Sequence, residues 1–293
     1  MVETLSTAFH EQIKKAITMS KVPGVITEHN VFQEGDGSIL LILDEMVESL
    51  LLPGSGVDGL ENLEELFAKA ESGKSCLLLL EHYSNLDLSI FSLLVRKAGG
   101  RGNDIGNSVI AIAGMKLNED NPAVAAFAGA YTRIVIYPSR SLYDMDAETK
   151  KTEFARSNAI NRAAMKALIR HKYKGKLILV FPSGTRYRPW DPETKKGIRE
   201  IDSYIRSFDY MCFVALNGEI LHVQKTDMIN DVISKDIVRV TAGPVISCDE
   251  FRNNARDAVA EDEDKKQAVA DAIMSELEKI HLSAEEKRKK LIN

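Results

Sequence analysis

The stretch Ser75-Cys-Leu-Leu-Leu-Leu-Glu-His-Tyr-Ser-Asn-Leu-Asp-Leu-Ser-Ile-Phe-Ser-Leu-Leu94 decides the fold class. Its apolar run, Cys76 to Leu80, reads as a strand over 75–81. Ser84, Asn85 and Asp87 are turn and N-cap formers, and Leu86, Ile90, Phe91, Leu93 and Leu94 supply an apolar helical face, so a helix starts between Ser84 and Asp87 and runs over 86–98. The same alternation continues outward, with strands expected at 108–113, 133–137, 176–181, 211–216 and 237–242 and helices at 121–130 and 149–172. This pattern predicts an α/β fold, a layered domain over 73–293 with a mixed central sheet flanked by helices. Ahead of it, helices over Leu5 to Ser20, Ile39 to Leu52 and Leu60 to Ser72 are separated by Pro23-Gly24, Gly35-Asp-Gly37 and Pro53-Gly54, which predicts a small N-terminal helical domain over 1–72. Behind it comes an amphipathic helix over 257–282, with Val269, Ile273, Leu277 and Ile280 in a row, and then a basic tail, Lys287-Arg-Lys-Lys290.

The strand-to-helix junction carries chemistry. An alcohol is a poor nucleophile at neutral pH, and imidazole is the side chain whose ordinary pKa lets it take that proton and pass it on. A carboxylate five residues further on can fold back to the other ring nitrogen if the chain turns between them. His82 is therefore the candidate base and Asp87 its orienting partner. A His followed by Asp at this spacing also occurs with purely structural roles, and position supplies the weight, since strand-end loops are where α/β enzymes put their chemistry.

A second segment, Phe181-Pro-Ser-Gly-Thr-Arg-Tyr-Arg-Pro189, follows the strand expected at 176–181. Pro182-Ser-Gly184 forces an irregular loop. Arg186 and Arg188, two apart in extended chain held by Pro189, project to one side and form a pincer for a phosphate. The competing reading is a solvated basic loop. Ser183 as a covalent nucleophile is weaker, because the G-x-S-x-G elbow is absent.

In this order, about a hundred residues apart, the two motifs resemble the glycerolipid acyltransferase superfamily and, within it, the soluble chloroplast-type glycerol-3-phosphate acyltransferases. The likeness runs from about Leu77 to Leu221 and includes Ile112-Ala-Gly114 and Ile136-Tyr137. Lysophosphatidate acyltransferases carry Glu where this chain has Ser183, whereas the soluble glycerol-3-phosphate enzymes carry serine. The resemblance implies an O-acyltransferase that moves a fatty acyl group from a thioester of acyl carrier protein or coenzyme A to the sn-1 hydroxyl of glycerol 3-phosphate. The product would be 1-acylglycerol 3-phosphate for phospholipid synthesis, formed with no acyl-enzyme, cofactor or metal. It implies catalysis by His82 and Asp87, and a phosphate site of Arg140, Arg186 and Arg188 with Ser141 as a hydrogen-bond donor, Ser183 and Gly184 supporting the loop. Three features depart from the family: Arg140 and Ser141 stand for its Lys-His pair, Glu81 for the Asn before the base, and no proline follows the strand Met211 to Leu216 at Asn217-Gly218. Two alternatives remain, a lysophosphatidate acyltransferase and a noncatalytic phosphoanion or acyl-carrier binding protein.

With 293 residues, 44% hydrophobic and 28% charged, the chain has ample material for a buried core. No apolar run approaches the about 20 residues of a membrane span, and the N-terminus lacks the basic-then-apolar layout of a secretion signal. The expected location is the cytoplasm, with peripheral membrane contact, or an organelle stroma if a transit peptide was removed. Cys76, Cys212 and Cys248 read as reduced core thiols. The net charge of −5 hides an asymmetry, since residues 133–199 hold 16 Lys and Arg against 6 Asp and Glu. Such a basic sector suits a polyanionic substrate, an acidic carrier protein or an anionic membrane; no nucleic-acid partner is expected. Trp190 reads as a loop anchor or a liner of an acyl channel, and His10, His29, His171, His222 and His281 as structural.

Overall fold

All five residues of the strand Cys76–Leu80 are buried. Cys76, Leu78 and Leu80 belong to one hydrophobic cluster, Leu77 and Leu79 to another. Alternation of this kind marks a central strand covered by helices on both faces. A computed structural model of the chain describes residues 3–119, 121–142 and 145–292, without the side chains of Arg140 and Ala147. The strands are β1 (Phe32–Gln33), β2 (Gly56–Asp58), β3 (Cys76–Leu80), β4 (Val109–Gly114), β5 (Arg133–Ile136), β6 (Leu177–Val180), β7 (Tyr210–Asn217), β8 (Leu221–His222), β9 (Val232–Ile233), β10 (Arg239–Ala242) and β11 (Ile246–Ser247). Nine of them form one sheet in the order β1-β5-β4-β6-β3-β7-β10-β2, with β11 paired to β7, while β8 and β9 make a separate ribbon. The centre from β5 to β7 is parallel, and β1, β10 and β11 join antiparallel to their neighbours β5 and β7. The layered α/β architecture with a mixed sheet is thus the one the sequence predicts, and the predicted strands fall within one or two residues of those found.

The helices are α1 (Leu5–Ala8), α2 (His10–Met19), α3 (Gly37–Leu50), α4 (Leu60–Glu71), α5 (Asp87–Lys97), α6 (Gly102–Ser108), α7 (Lys116–Glu119), α8 (Pro122–Ala128), α9 (Ala147–His171), α10 (Ile201–Ile205), α11 (Cys248–Asp257) and α12 (Lys265–Ile292). One face of the sheet is covered by α3, α4 and α5 through Leu43, Leu63, Phe67 and Phe91. The other is covered by α9, α10 and α12 through Ile160, Leu168, Ile201, Ile273 and Leu277.

Two expectations are redrawn. Among the described residues, 3–72 build no core of their own: β1 and β2 form the sheet's two edges, and Leu5, Leu43 and Leu63 share a cluster with Leu78 and Leu80. The amphipathic helices of this segment need an apolar surface, and the sheet supplies it. The boundary at 72 therefore separates two sequence textures, not two cores. At the other end, Cys248–Asp257 is a helix by itself, capped where Ser247 Oγ accepts from Glu250 N, and the closing helix runs later than predicted, over Lys265–Ile292. The expected basic tail is that helix's last turn. Arg288 is buried there, donating to the Ile237 carbonyl at 2.7 Å and pairing with Asp236 and Glu285. The three cysteines are free and buried, and burial pushes the Cys76 and Cys212 thiols up to about 12.

Candidate active site

β3 and β6 are adjacent parallel strands in the register Leu79 opposite Val180, so their chains leave the sheet side by side. This register places His82 beside Phe181. The imidazole stacks on the phenyl ring with centroids 4.1 Å apart and planes 22° from parallel. Six residues after Phe181, the Tyr187 N–H donates to the His82 carbonyl at 2.8 Å, closing the second motif over the first. Two segments a hundred residues apart in sequence thereby become one site at the carboxyl ends of parallel strands, where α/β folds place ligands.

Asp87 opens α5 and its carboxylate is buried. Its Oδ2 accepts from His82 Nδ1 at 2.9 Å, from Tyr83 N at 2.5 Å and from Ser84 N at 2.8 Å, while Oδ1 accepts from Ser84 Oγ at 2.8 Å. The loop is wound around this carboxylate, and the N-terminus of α5 adds its dipole. With Nδ1–H given to Asp87, the lone pair of the His82 ring lies on Nε2. The spacing read from sequence thus describes a real contact, and the turn between the two residues makes it.

Glu81, the residue before His82, is buried and fully engaged. It accepts from Leu216 N at 2.8 Å, from the Tyr83 hydroxyl at 3.0 Å and from His281 Nδ1 at 2.9 Å. Burial, reinforced by the Glu81 charge, drives the Tyr83 hydroxyl far above its ordinary value. For His281, burial alone would lower the imidazole, but the hydrogen bond and charge of Glu81, with the field of Glu278, raise it on balance. The side chain of Asn217, at the end of β7, donates to the His281 carbonyl at 3.1 Å, so this strand also reaches α12. His281, expected to be structural, pairs with an acid 200 residues away, and no local spacing signals such a pair.

The arginine loop is shaped from within. Ser183 is buried and its hydroxyl donates to the Thr185 carbonyl at 2.7 Å. Gly184 has φ of +63°, and a Cβ there would stand 2.9 Å from Ile198 Cδ1, which accounts for glycine at this position. Arg186 Nη1 lies 3.1 Å from Asp231 Oδ2. Burial pushes the Asp231 carboxyl up, against the opposing hydrogen bond from Gln224 N and the charge of Arg186. Arg188 donates its backbone N–H to Thr194 Oγ1 at 2.8 Å, and its guanidinium has no hydrogen-bond or ion-pair partner among the described residues. One arginine of the predicted pincer is thus anchored and the other is available. Ser141 stands in the 3-10 turn Ser139–Leu142 after β5. That strand lies three places from β3, about 14 Å at the usual strand spacing. The side chain of Arg140, in the same turn, lies outside the described residues. Trp190 is half-exposed, with Lys225 Nζ 5.7 Å from its ring centre.

A small cavity of about 20 Å³, enough for one water centre, adjoins His82 and is walled by Glu81, Tyr83, Ser183, Leu277 and Glu278. Ser183 and Thr194 also line an open cleft of about 500 Å³ that runs past Thr185, Gly197, Gln267 and Asp271. Among the described residues no helix is long and apolar enough to cross a membrane.

A base-and-carboxylate pair at the carboxyl edge of a parallel sheet, faced by an arginine loop, has the parts of a group-transfer enzyme acting on an anionic alcohol. An acyltransferase family model matches residues 55–243, and the chain belongs to that family. The match supports the glycerolipid acyltransferase resemblance of the two motifs. Comparison with curated proteins finds no match.

Proposed function

We propose that this acyltransferase is a glycerol-3-phosphate O-acyltransferase. It would move a fatty acyl group from a thioester of acyl carrier protein or coenzyme A to the sn-1 hydroxyl, supplying 1-acylglycerol 3-phosphate to phospholipid synthesis. One observation carries the reading: the Tyr187 N–H to His82 carbonyl bond, which sets the chain between Arg186 and Arg188 against the His82–Asp87 pair. A small phosphorylated alcohol held by the arginines then has its hydroxyl beside the base. Nε2 of His82 takes the hydroxyl proton as the oxygen attacks the thioester carbonyl; the tetrahedral adduct collapses, the C–S bond breaks, and the imidazolium returns the proton to the departing sulfur. Asp87 stabilises the imidazolium while it lasts. Fixing acceptor and donor in this geometry supplies on the order of 7 kcal/mol or more of the barrier lowering. The open cleft, which shares Ser183 and Thr194 with the cavity at His82, has hydroxyl and amide groups suited to a pantetheine arm.

The test is acyl transfer by the purified chain without detergent, offering glycerol 3-phosphate or lysophosphatidate with each thioester. Glycerol 3-phosphate should be turned over, and His82→Ala should lower kcat by about 10²–10⁴ while leaving acceptor binding nearly intact. Turnover of lysophosphatidate alone would overturn the acceptor, and equal rates for wild type and His82→Ala would overturn the base.

A further inference from the structure

α9 buries Ile160, Ala164 and Leu168 against the sheet. The exposed strip that flanks this buried face is not simply polar. Phe154 is 57% exposed, Met165 49% and Ile169 54%, with Tyr173 at 51% just beyond the helix end. At about 100° per residue, Phe154, Met165 and Ile169 fall within an arc of about 60°, along a row about 22 Å long. Lys151, Arg162, Lys166 and Arg170 are exposed on the adjoining strip, with Lys174 beyond. None of these five forms an ion pair among the described residues. From Phe154 through Trp190 the chain has nine Lys and Arg and no Asp or Glu.

We infer that this face of α9 docks on an anionic lipid surface. Apolar side chains held out in water next to unpaired cations are the composition of a helix lying in a membrane interface, where the apolar row enters the headgroup boundary and the cations meet lipid phosphates. Charge complementarity calls for an anionic partner. The apolar side chains are spaced along the helix, with Asn158 between Phe154 and Met165 in the same arc, and this selects a bilayer over an acidic protein, because a protein would need a groove matched to that spacing, whereas a bilayer interface accepts it without matched shape. α9 also begins after the turn that follows β5, at the carboxyl edge of the strands, so its Phe154 end stands on the side of the sheet that bears His82. The inference does not depend on which acceptor is acylated, since binding is read without turnover.

The experiment is sedimentation of the full chain with vesicles of phosphatidylcholine alone or mixed with phosphatidylglycerol. Only the mixed vesicles should carry the protein down, and less so as salt rises. The triple variant R162Q/K166Q/R170Q should bind on the order of a hundredfold more weakly, and F154S/M165S/I169S at least about tenfold more weakly. Both should keep the wild-type circular dichroism spectrum and wild-type acyl transfer between soluble substrates. Wild-type protein left in the supernatant with both vesicle types would overturn the inference, as would undiminished vesicle binding by either variant. Capture of an acidic acyl carrier protein through these residues, with no vesicle binding, would overturn the lipid assignment.

Discussion

Asp87→Asn separates the charge of this carboxylate from its shape. Oδ2 accepts from His82 Nδ1, Tyr83 N and Ser84 N, so the amide must point its oxygen there; its NH₂ would face three donors. The NH₂ then meets Ser84 Oγ, which can rotate to accept. The loop keeps its hydrogen bonds, and the lost element is the negative charge that, in the proposed mechanism, stabilises the imidazolium formed as His82 takes the acceptor's proton. A hydrogen bond to a charged group contributes about 1.5–3 kcal/mol against about 1 for a neutral one. The difference, about 0.5–2 kcal/mol, slows turnover roughly 2- to 30-fold. Asp87→Ala instead removes all four acceptor contacts and strands the Tyr83 and Ser84 N–H groups, at about 1–3 kcal/mol each, so stability falls by about 2–6 kcal/mol. Steady-state kinetics and urea unfolding distinguish the two variants: the Asn form should lose kcat with its acceptor KM and unfolding midpoint near wild type, the Ala form both activity and stability. A full kcat for Asp87→Asn, or a stability loss as large as that of Asp87→Ala, would refute the reasoning.

The two arginines should respond differently. Arg188→Ala should raise the acceptor KM with no change in unfolding midpoint, whereas Arg186→Ala should raise KM and also lower the midpoint, because it leaves the buried Asp231 without its cation at a cost on the order of 3 kcal/mol. That cost should shrink as pH falls, since Asp231, already raised by burial, takes up a proton instead; equal midpoints for the two variants across pH would contradict this. For His281, a folded-state value above the ordinary 6.5 means that its pairing with Glu81 stabilises fully below 6.5 and is lost as pH rises through the raised value. Urea midpoints of wild type should fall over that window while those of His281→Gln stay flatter, and identical slopes would exclude the pair as the source.

Much of the site was legible because its determinants are local. The carboxylate that orients His82 is five residues away, and the Pro182-Ser-Gly184 break shows where β6 ends. The central strands were equally plain, because Cys76–Leu80 and Leu177–Val180 are buried on both faces and read as unbroken apolar runs. What escaped depends on distant pairing. β1 and β2 have two and three residues, too few to show a period, and become strands only because β5 and β10 offer edges. Arg288 reads as a tail residue until Ile237, 51 positions earlier, is placed against it. Asp231, which holds Arg186, lies 45 residues from it, in a segment with no motif.

Glu81 joins these distant elements to the chemistry. An asparagine there, as in the family pattern, could accept from Leu216 N and the Tyr83 hydroxyl but could not balance an imidazolium. A buried carboxylate needs compensation for its lost hydration, and His281 supplies it from α12, a helix that lies wholly beyond the matched residues 55–243. The same helix contributes Leu277 and Glu278 to the wall of the cavity at His82. The exchange at position 81 and the docking of the C-terminal helix are therefore one structural fact. Removing His281 leaves Glu81 buried without its counterpart, one residue from His82, so in this chain the candidate site draws on a helix past the matched residues.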